Sequence, residues 1–232
     1  IKKEINKKDL SSIDLIVEER LKGKPLAYLI GKKGFWKNDF IVTSDVLVPR
    51  PETETLVDAI LNENLQGKTL LELGTGSGAI SISIAQENKD CFIFATDISI
   101  KSILVAKQNA AKFYCENIIF LNHDWNNEWL FPQVDYLISN PPYVNKEATT
   151  GKEEGIWHEP EKALFSKDKG LFDLKLILSK GKNFLNENGK VYLEHAPDQY
   201  EELNKFAMEN GYLNFSNLND LNGDKRVSIY QC

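Results

Sequence analysis

From residue 68 onward, short apolar runs alternate with longer amphipathic stretches, and that rhythm predicts the architecture. Residues 69–73, 92–95, 118–121, 134–139 and 191–194 read as buried strands. Residues 79–86, 100–113, 171–185 and 200–209 carry helical spacing, and 213–215 with 226–230 read as a closing hairpin. Repeated βα units of this kind predict an α/β fold: a doubly wound, mostly parallel, seven-stranded sheet of Rossmann-like form.

The front of the chain is different. Ser11-Ser12, followed by Ile13, Leu15, Ile16, Val17 and Leu21, predicts a capped amphipathic helix that stops near Gly23. Between 34 and 48, apolar residues flank Lys37-Asn38-Asp39 as in a β-hairpin. Pro49-Arg50-Pro51-Glu52-Thr53-Glu54 then leads into a helix bearing Leu56, Val57, Ile60 and Leu61. Pro51 and the acids suit a helix start, where the dipole favours negative charge. Arg50 is either a solvated linker cation or a positioned functional group. Residues 144–169 are polar and predict a long loop, of the kind that forms lids over a bound peptide.

Composition narrows the class. A chain of 232 residues with 42% hydrophobic and 27% charged positions can bury one large globular domain, with or without a small appendage. No apolar run approaches the roughly 18 residues of a membrane span, and no signal-peptide pattern opens the chain. Cys91, Cys115 and Cys232 are an odd set without metal-ligand spacing, which predicts a reduced cytoplasmic protein. The three histidines form no metal cluster with them, so no metal is expected. The net charge of −6 is split: residues 1–37 carry +5 and the remainder −11. The acidic body argues against a dedicated nucleic-acid binder. The basic front suits either a nucleic-acid-associated partner or a solvated helix surface.

Two stretches carry chemistry. Gly74-Thr75-Gly76-Ser77-Gly78 joins the first strand to its helix, where glycines let a ligand approach the backbone and the helix N-terminus. Asp97, with Ile98 beside it, ends the second strand where a ribose-binding acid belongs. Asp124-Trp125 follows the third strand and offers a carboxylate and a flat ring for an adenine. Asn140-Pro141-Pro142-Tyr143 ends the fourth strand, because two prolines cannot continue it. The Asn140 amide and the Pro141 carbonyl place acceptors beside an aromatic ring, which suits a planar NH2 group. Strand ends line one crevice in such a sheet, so these four groups converge in the pattern of an S-adenosylmethionine-dependent methyltransferase.

The chain also resembles the peptide-chain release factor glutamine methyltransferases, over nearly its whole length from about Gly23. The landmarks are Gly23-x-Pro25-x-x-Tyr28-x-x-Gly31, Phe35-Trp36, Val48-Pro49 with Arg50-Pro51-Glu52-Thr53-Glu54, the glycine loop, Asn140-Pro141-Pro142-Tyr143, Glu159-Pro160, Ala163-Leu164 and Glu194-His195. The resemblance implies a class I methyltransferase that methylates N5 of the glutamine in the Gly-Gly-Gln tripeptide of release factors, leaving S-adenosylhomocysteine. It assigns catalysis to Asn140, Pro141 and Tyr143. It assigns the cofactor to Gly74, Thr75, Gly76, Ser77, Gly78, Asp97, Ile98, Asp124, Trp125 and Asn140, and the substrate to Asn140, Pro141, Pro142, Tyr143 and Arg50. The partner is then a release factor, with no membrane or direct nucleic-acid contact and a monomeric enzyme.

The domains expected are 1–30, the remnant of a helical substrate-docking domain; 31–50, a linking hairpin; and 51–232, the methyltransferase. The chain opens on Ile1 rather than Met, so N-terminal residues are expected to be missing. Two departures stand out: Glu72 where an Asp commonly precedes the loop, and Ala196-Pro197 where the family usually has Gly. Alternatives are methylation of a ribosomal-protein glutamine, methylation of adenine or guanine amino groups in nucleic acid, and a non-catalytic cofactor-binding module. The nucleic-acid alternative generally requires base extrusion and a basic groove.

Overall fold

The computed structural model describes residues 7–149 and 155–231, and of 7–12 the backbone alone. Parts of the expected helical remnant, the 150–154 portion of the long polar segment and Cys232 therefore lie outside the described residues. In chain order the elements are α1 (Lys7–Leu21), α2 (Leu26–Ile30), β1 (Lys32–Phe35), β2 (Asn38–Ile41), α3 (Glu54–Leu61), β3 (Thr69–Leu73), α4 (Ala79–Glu87), β4 (Phe92–Asp97) and α5 (Ile100–Lys112). Then follow β5 (Ile118–Asn122), β6 (Val134–Ser139), β7 (Val144–Asn145), α6 (Glu161–Leu164), β8 (Phe165–Ser166), α7 (Phe172–Gly181), β9 (Leu185–Glu194), α8 (Tyr200–Glu209), β10 (Asn214–Asn219) and β11 (Lys225–Gln231).

Seven strands form the main sheet in the order β10-β11-β9-β6-β3-β4-β5. β11 runs antiparallel to both of its neighbours, and the other pairings are parallel. β3 lies between β4 and β6, so the strand order reverses there and a crevice opens at the carboxyl ends of these strands.

Strands buried on both faces need apolar residues at successive positions, as Leu70 and Leu71 show. Leu70 packs with Leu56, Val57 and Ile60 of α3 and with Ile82 of α4. Leu71 and Leu73 pack on the opposite face with Leu174, Ile177 and Leu178 of α7 and Leu203 of α8. Each fully buried leucine contributes about 2 kcal/mol, so the sheet is anchored by both helical layers.

Four expectations are corrected in detail. α1 begins at Lys7, so Ser11 and Ser12 lie inside it and do not cap it. The hairpin turns at Trp36-Lys37, one residue before the expected Lys37-Asn38-Asp39, because Phe35 pairs with Asn38 and Gly34 with Asp39. Trp36 takes a left-handed φ of 51°, held by its amide donating to Glu54 Oε1 at 2.8 Å. The helix expected over 171–185 ends at Gly181, where a Cβ would come within 2.9 Å of Leu137 on the sheet. β9 then starts at Leu185 and runs through the polar stretch 186–190, with Asn188 at a φ of 62° and a register shift against β6.

The segment 144–169 also differs from a featureless loop. Its described residues form the parallel pair β7 and β8, helix α6 and two 3₁₀ turns, with Trp157 packed on Phe165 at 5.6 Å.

Candidate functional site

The glycine loop hugs the ends of β3 and β4. Gly74 has a φ of 79°, and a Cβ there would press within 3.3 Å of the Trp125 ring. Gly76, at a φ of 54°, has no atom within 4 Å of its Cβ position, so its bare backbone faces open space. The amides of Gly74 and Thr75 donate to the carbonyl of Thr96 on β4.

Asp97 closes this corner. Its Oδ2 accepts from the Gly76 amide at 2.9 Å and its Oδ1 from the Ser99 amide at 2.8 Å. Burial raises its pKa, while those two amides and the Ser102 hydroxyl lower it. Beneath the loop, the buried carboxyl of Glu72 accepts from Thr75 Oγ1 at 2.7 Å and from Ser81 Oγ. Burial pushes Glu72 up to about 7.

A cavity of about 720 Å³ lies over the loop. Gly74, Gly76, Asp97, Ile98, Trp125, Asn140 and Pro142 line it together. Two further walls are Ser44, Asp45, Val46 and Leu47 after β2, which carried no signal in the sequence, and Pro160, Glu161, Lys162 and Ala163 of the long segment expected as a lid.

Other candidate residues sit behind this surface. Thr75 and Ser77 are buried; the Thr75 hydroxyl turns inward to Glu72, and the Ser77 carbonyl accepts from Asn109. A Cβ at Gly78 would come within 2.7 Å of Ile82 and 3.2 Å of Ala106, so that position faces the helices behind the loop. Asp124 bends back on its own loop, accepting from the amide and side chain of Asn126.

Trp125 is fixed from behind. Its Nε1 donates to Asp173 Oδ1 at 2.9 Å, and Lys180 Nζ donates to the carbonyls of Trp125, Asn126 and Asn127. Asp173 and Lys180 gave no local signal in the sequence, since both read as ordinary helix positions.

Asn140 sits at the cavity edge with Nδ2 donating to Thr53 Oγ1 at 3.0 Å. Pro141 and Pro142 are buried, and Pro141 does not line the cavity. The Tyr143 hydroxyl donates to Glu194 Oε1 at 3.0 Å, and its carbonyl accepts from Gln199 Nε2. Burial and the neighbouring Glu194 push the Tyr143 hydroxyl upward. Glu194, at the end of β9, is 0% exposed.

Arg50 does not line the cavity. Its Nη2 meets Glu159 Oε1 at 2.5 Å, and Glu159 Oε2 accepts from the Val48 amide at 3.0 Å. Thr53 and Glu194 belong to landmark stretches, but neither carried a role of its own there, and Thr53 makes no capping bond to α3.

A family model described as the methyltransferase small domain matches residues 51–170. A release factor glutamine methyltransferase of Francisella tularensis subsp. tularensis is 36% identical over 233 residues, covering 99% of this chain and 82% of that one. A bifunctional methyltransferase of Rickettsia bellii is 34% identical over 255 residues, covering 97% of this chain and 46% of that one. The chain therefore spans about half the length of the bifunctional relatives. Among solved structures, a methyltransferase from Pyrococcus furiosus superposes with a TM-score of 0.63 at 18% identity, covering 95% of this chain and 98% of that one, a likeness of fold. With a curated relative at this identity matched over most of both chains, the chain belongs to the release factor glutamine methyltransferase family.

Proposed function

We propose that this chain moves a methyl group from S-adenosylmethionine to the side-chain amide nitrogen of the glutamine in the Gly-Gly-Gln motif of release factors. The observation that carries the reading is the position of Asn140. Its side chain stands at the edge of the glycine-loop cavity with Nδ2 committed to Thr53.

The cavity residues fit the cofactor. The backbone at Gly76 is bare toward the space, and Asp97 ends β4 beside it for a ribose. Ile98 and Trp125 supply apolar walls, and a volume of about 720 Å³ suits a nucleoside-sized ligand. When bound, S-adenosylmethionine supplies an electrophilic sulfonium methyl.

The chain's own task is positioning, because an amide nitrogen is a poor nucleophile whose lone pair is delocalised. Asn140 Oδ1 and the Pro141 carbonyl accept the two N–H groups of the substrate amide. That arrangement aims the nitrogen and favours its pyramidalisation as the bond forms. Tyr143 packs on the amide plane. The proton leaves after transfer, so no base is needed before it.

On this reading 51–232 is the methyltransferase domain, 31–50 the linking hairpin, and the residues before 31 part of a substrate-docking helical unit. No helix among the described residues is long and apolar enough to cross a membrane. We place the reaction in the cytoplasm, on a release factor as protein substrate, with a monomeric enzyme.

Mass spectrometry of a release factor incubated with the enzyme and S-adenosylmethionine tests the reading. A gain of one methyl group that disappears when the Gly-Gly-Gln glutamine is replaced supports it. No gain on the intact factor overturns it.

A further inference from the structure

Asn140 presents a choice that its own chemistry does not settle. A primary amide has nearly the same shape in its two flipped orientations, but one face accepts hydrogen bonds and the other donates them. Only the orientation with Nδ2 inward leaves Oδ1 to receive a substrate NH2. The inward partner is Thr53 Oγ1 at 3.0 Å, and a hydroxyl can either accept or donate. Something must make Thr53 an acceptor toward Asn140.

The group behind Thr53 is Glu194, whose carboxyl the Thr53 hydroxyl is near enough to stabilise in its charged form. An ionised carboxylate only accepts, so a hydroxyl that donates its hydrogen bond to it keeps its lone pairs for Asn140. Glu194 is fully buried, and its Oε2 has no hydrogen-bond partner within the described residues. Its other oxygen accepts from Tyr143 at 3.0 Å, so the same carboxyl touches the far end of the Asn140-Pro141-Pro142-Tyr143 elbow.

We propose that Glu194 is a positioning residue for methyl transfer: its carboxylate accepts a hydrogen bond from the Thr53 hydroxyl, which leaves Thr53 to accept from Asn140 Nδ2 and turns Asn140 Oδ1 to the substrate. This rests on the preceding assignment of Asn140 Oδ1 to the substrate amide. The sequence brings the relay together from three distant places, the turn before α3, the end of β6 and the end of β9.

The charges around the carboxyl agree with a group that must be ionised to work. Burial pushes Glu194 up to about 7, the Thr53 and Tyr143 hydroxyls and Arg226 of β11 lower it, and Glu52 raises it. Arg226 is itself held by Asp220 at 3.1 Å. Protonated, Glu194 donates a hydrogen bond to Thr53 instead of accepting one, so the Thr53 hydroxyl donates toward Asn140 and the preferred amide orientation reverses.

Three variants test the relay in the full-length chain: Thr53→Val, Thr53→Ser and Glu194→Gln. Each is assayed for kcat toward a release factor, for affinity toward S-adenosylhomocysteine, and for the side-chain amide resonance of Asn140, assigned by its loss in Asn140→Ala. Thr53→Val and Glu194→Gln should lower kcat about 10- to 100-fold with the affinity kept within about threefold, and Thr53→Ser should restore kcat. The wild-type kcat should climb as pH passes through about 7, and this climb should vanish in Glu194→Gln.

The resonance should shift in Thr53→Val and Glu194→Gln and stay in place in Thr53→Ser. It reads the relay without any substrate, so a wild-type enzyme silent toward release factors would overturn the substrate reading while the relay is still decided. An unshifted resonance, an unchanged kcat in Thr53→Val, or equal losses of kcat and affinity would overturn the relay.

Discussion

Nε1 of Trp125 donates to Oδ1 of Asp173 across 2.9 Å, and Asp173 Oδ2 in turn accepts from Ser166 Oγ at 2.5 Å. One wall of the cavity is therefore fixed by α7 and by β8, which belongs to the long segment after the prolines. Asp173→Ala should leave the indole N–H unpaired and the ring free to tilt. A lost hydrogen bond to a charged group then weakens S-adenosylhomocysteine binding by about tenfold. Titration calorimetry on the two proteins measures it, and an unchanged affinity would show that the ring is held by packing alone.

Arg50 and Glu159 join the linker to the other wall. The Glu159 side chain is 2% exposed and the Arg50 side chain 35% exposed, so the pair is only partly shielded from water. Arg50→Ala leaves the carboxylate with the Val48 amide as partner. The expected loss is about 1–2 kcal/mol, below that of a fully buried pair because solvent screens the guanidinium. Urea unfolding gives the value directly, and a loss under a few tenths would mean that the clamp holds nothing.

Glu72 offers a pH test that needs no substrate. Burial lifts its carboxyl from an ordinary 4.5 to about 7, against the hydroxyls of Ser81 and Thr75. Between those values the folded protein holds a proton that the unfolded chain has released. The stability contributed by Glu72 therefore falls as pH rises from 4.5 to about 7, and then levels off. The full change is on the order of 3 kcal/mol. Glu72→Gln has no such proton, so its stability relative to wild type should climb across that window. Parallel unfolding curves at the two ends of the window would contradict this.

Most of what was legible in the sequence is local. The Gly74-to-Gly78 turn and the double proline after Ser139 announce themselves within a few residues, and the βα rhythm then implies that strand ends meet. The site's support was not legible for a matching reason. Asn140 and Thr53 lie 87 residues apart, Tyr143 and Glu194 lie 51 apart, and Arg50 and Glu159 lie 109 apart.

Those pairings depend on β9 lying beside β6 and on where α3 begins, which apolar periodicity does not encode. Thr75 and Ser77 read as ligand contacts because they stand in a ligand loop, yet the left-handed glycines around them turn both side chains inward. The polar run at 186–190 has no apolar alternation to mark it as strand, because most of its residues are half-buried or exposed.

Whether Asn140 presents its oxygen to the reacting amide is read from single-turnover methyl transfer by Asn140→Asp. The substitution keeps the size of the side chain but removes the Nδ2 donor to Thr53 and introduces a charge. With S-adenosylhomocysteine affinity on the same protein held within about fivefold, transfer to a release factor should fall by about two orders of magnitude. An Asn140→Asp enzyme that transfers methyl groups at the wild-type rate would show that the Asn140 amide does not position the substrate.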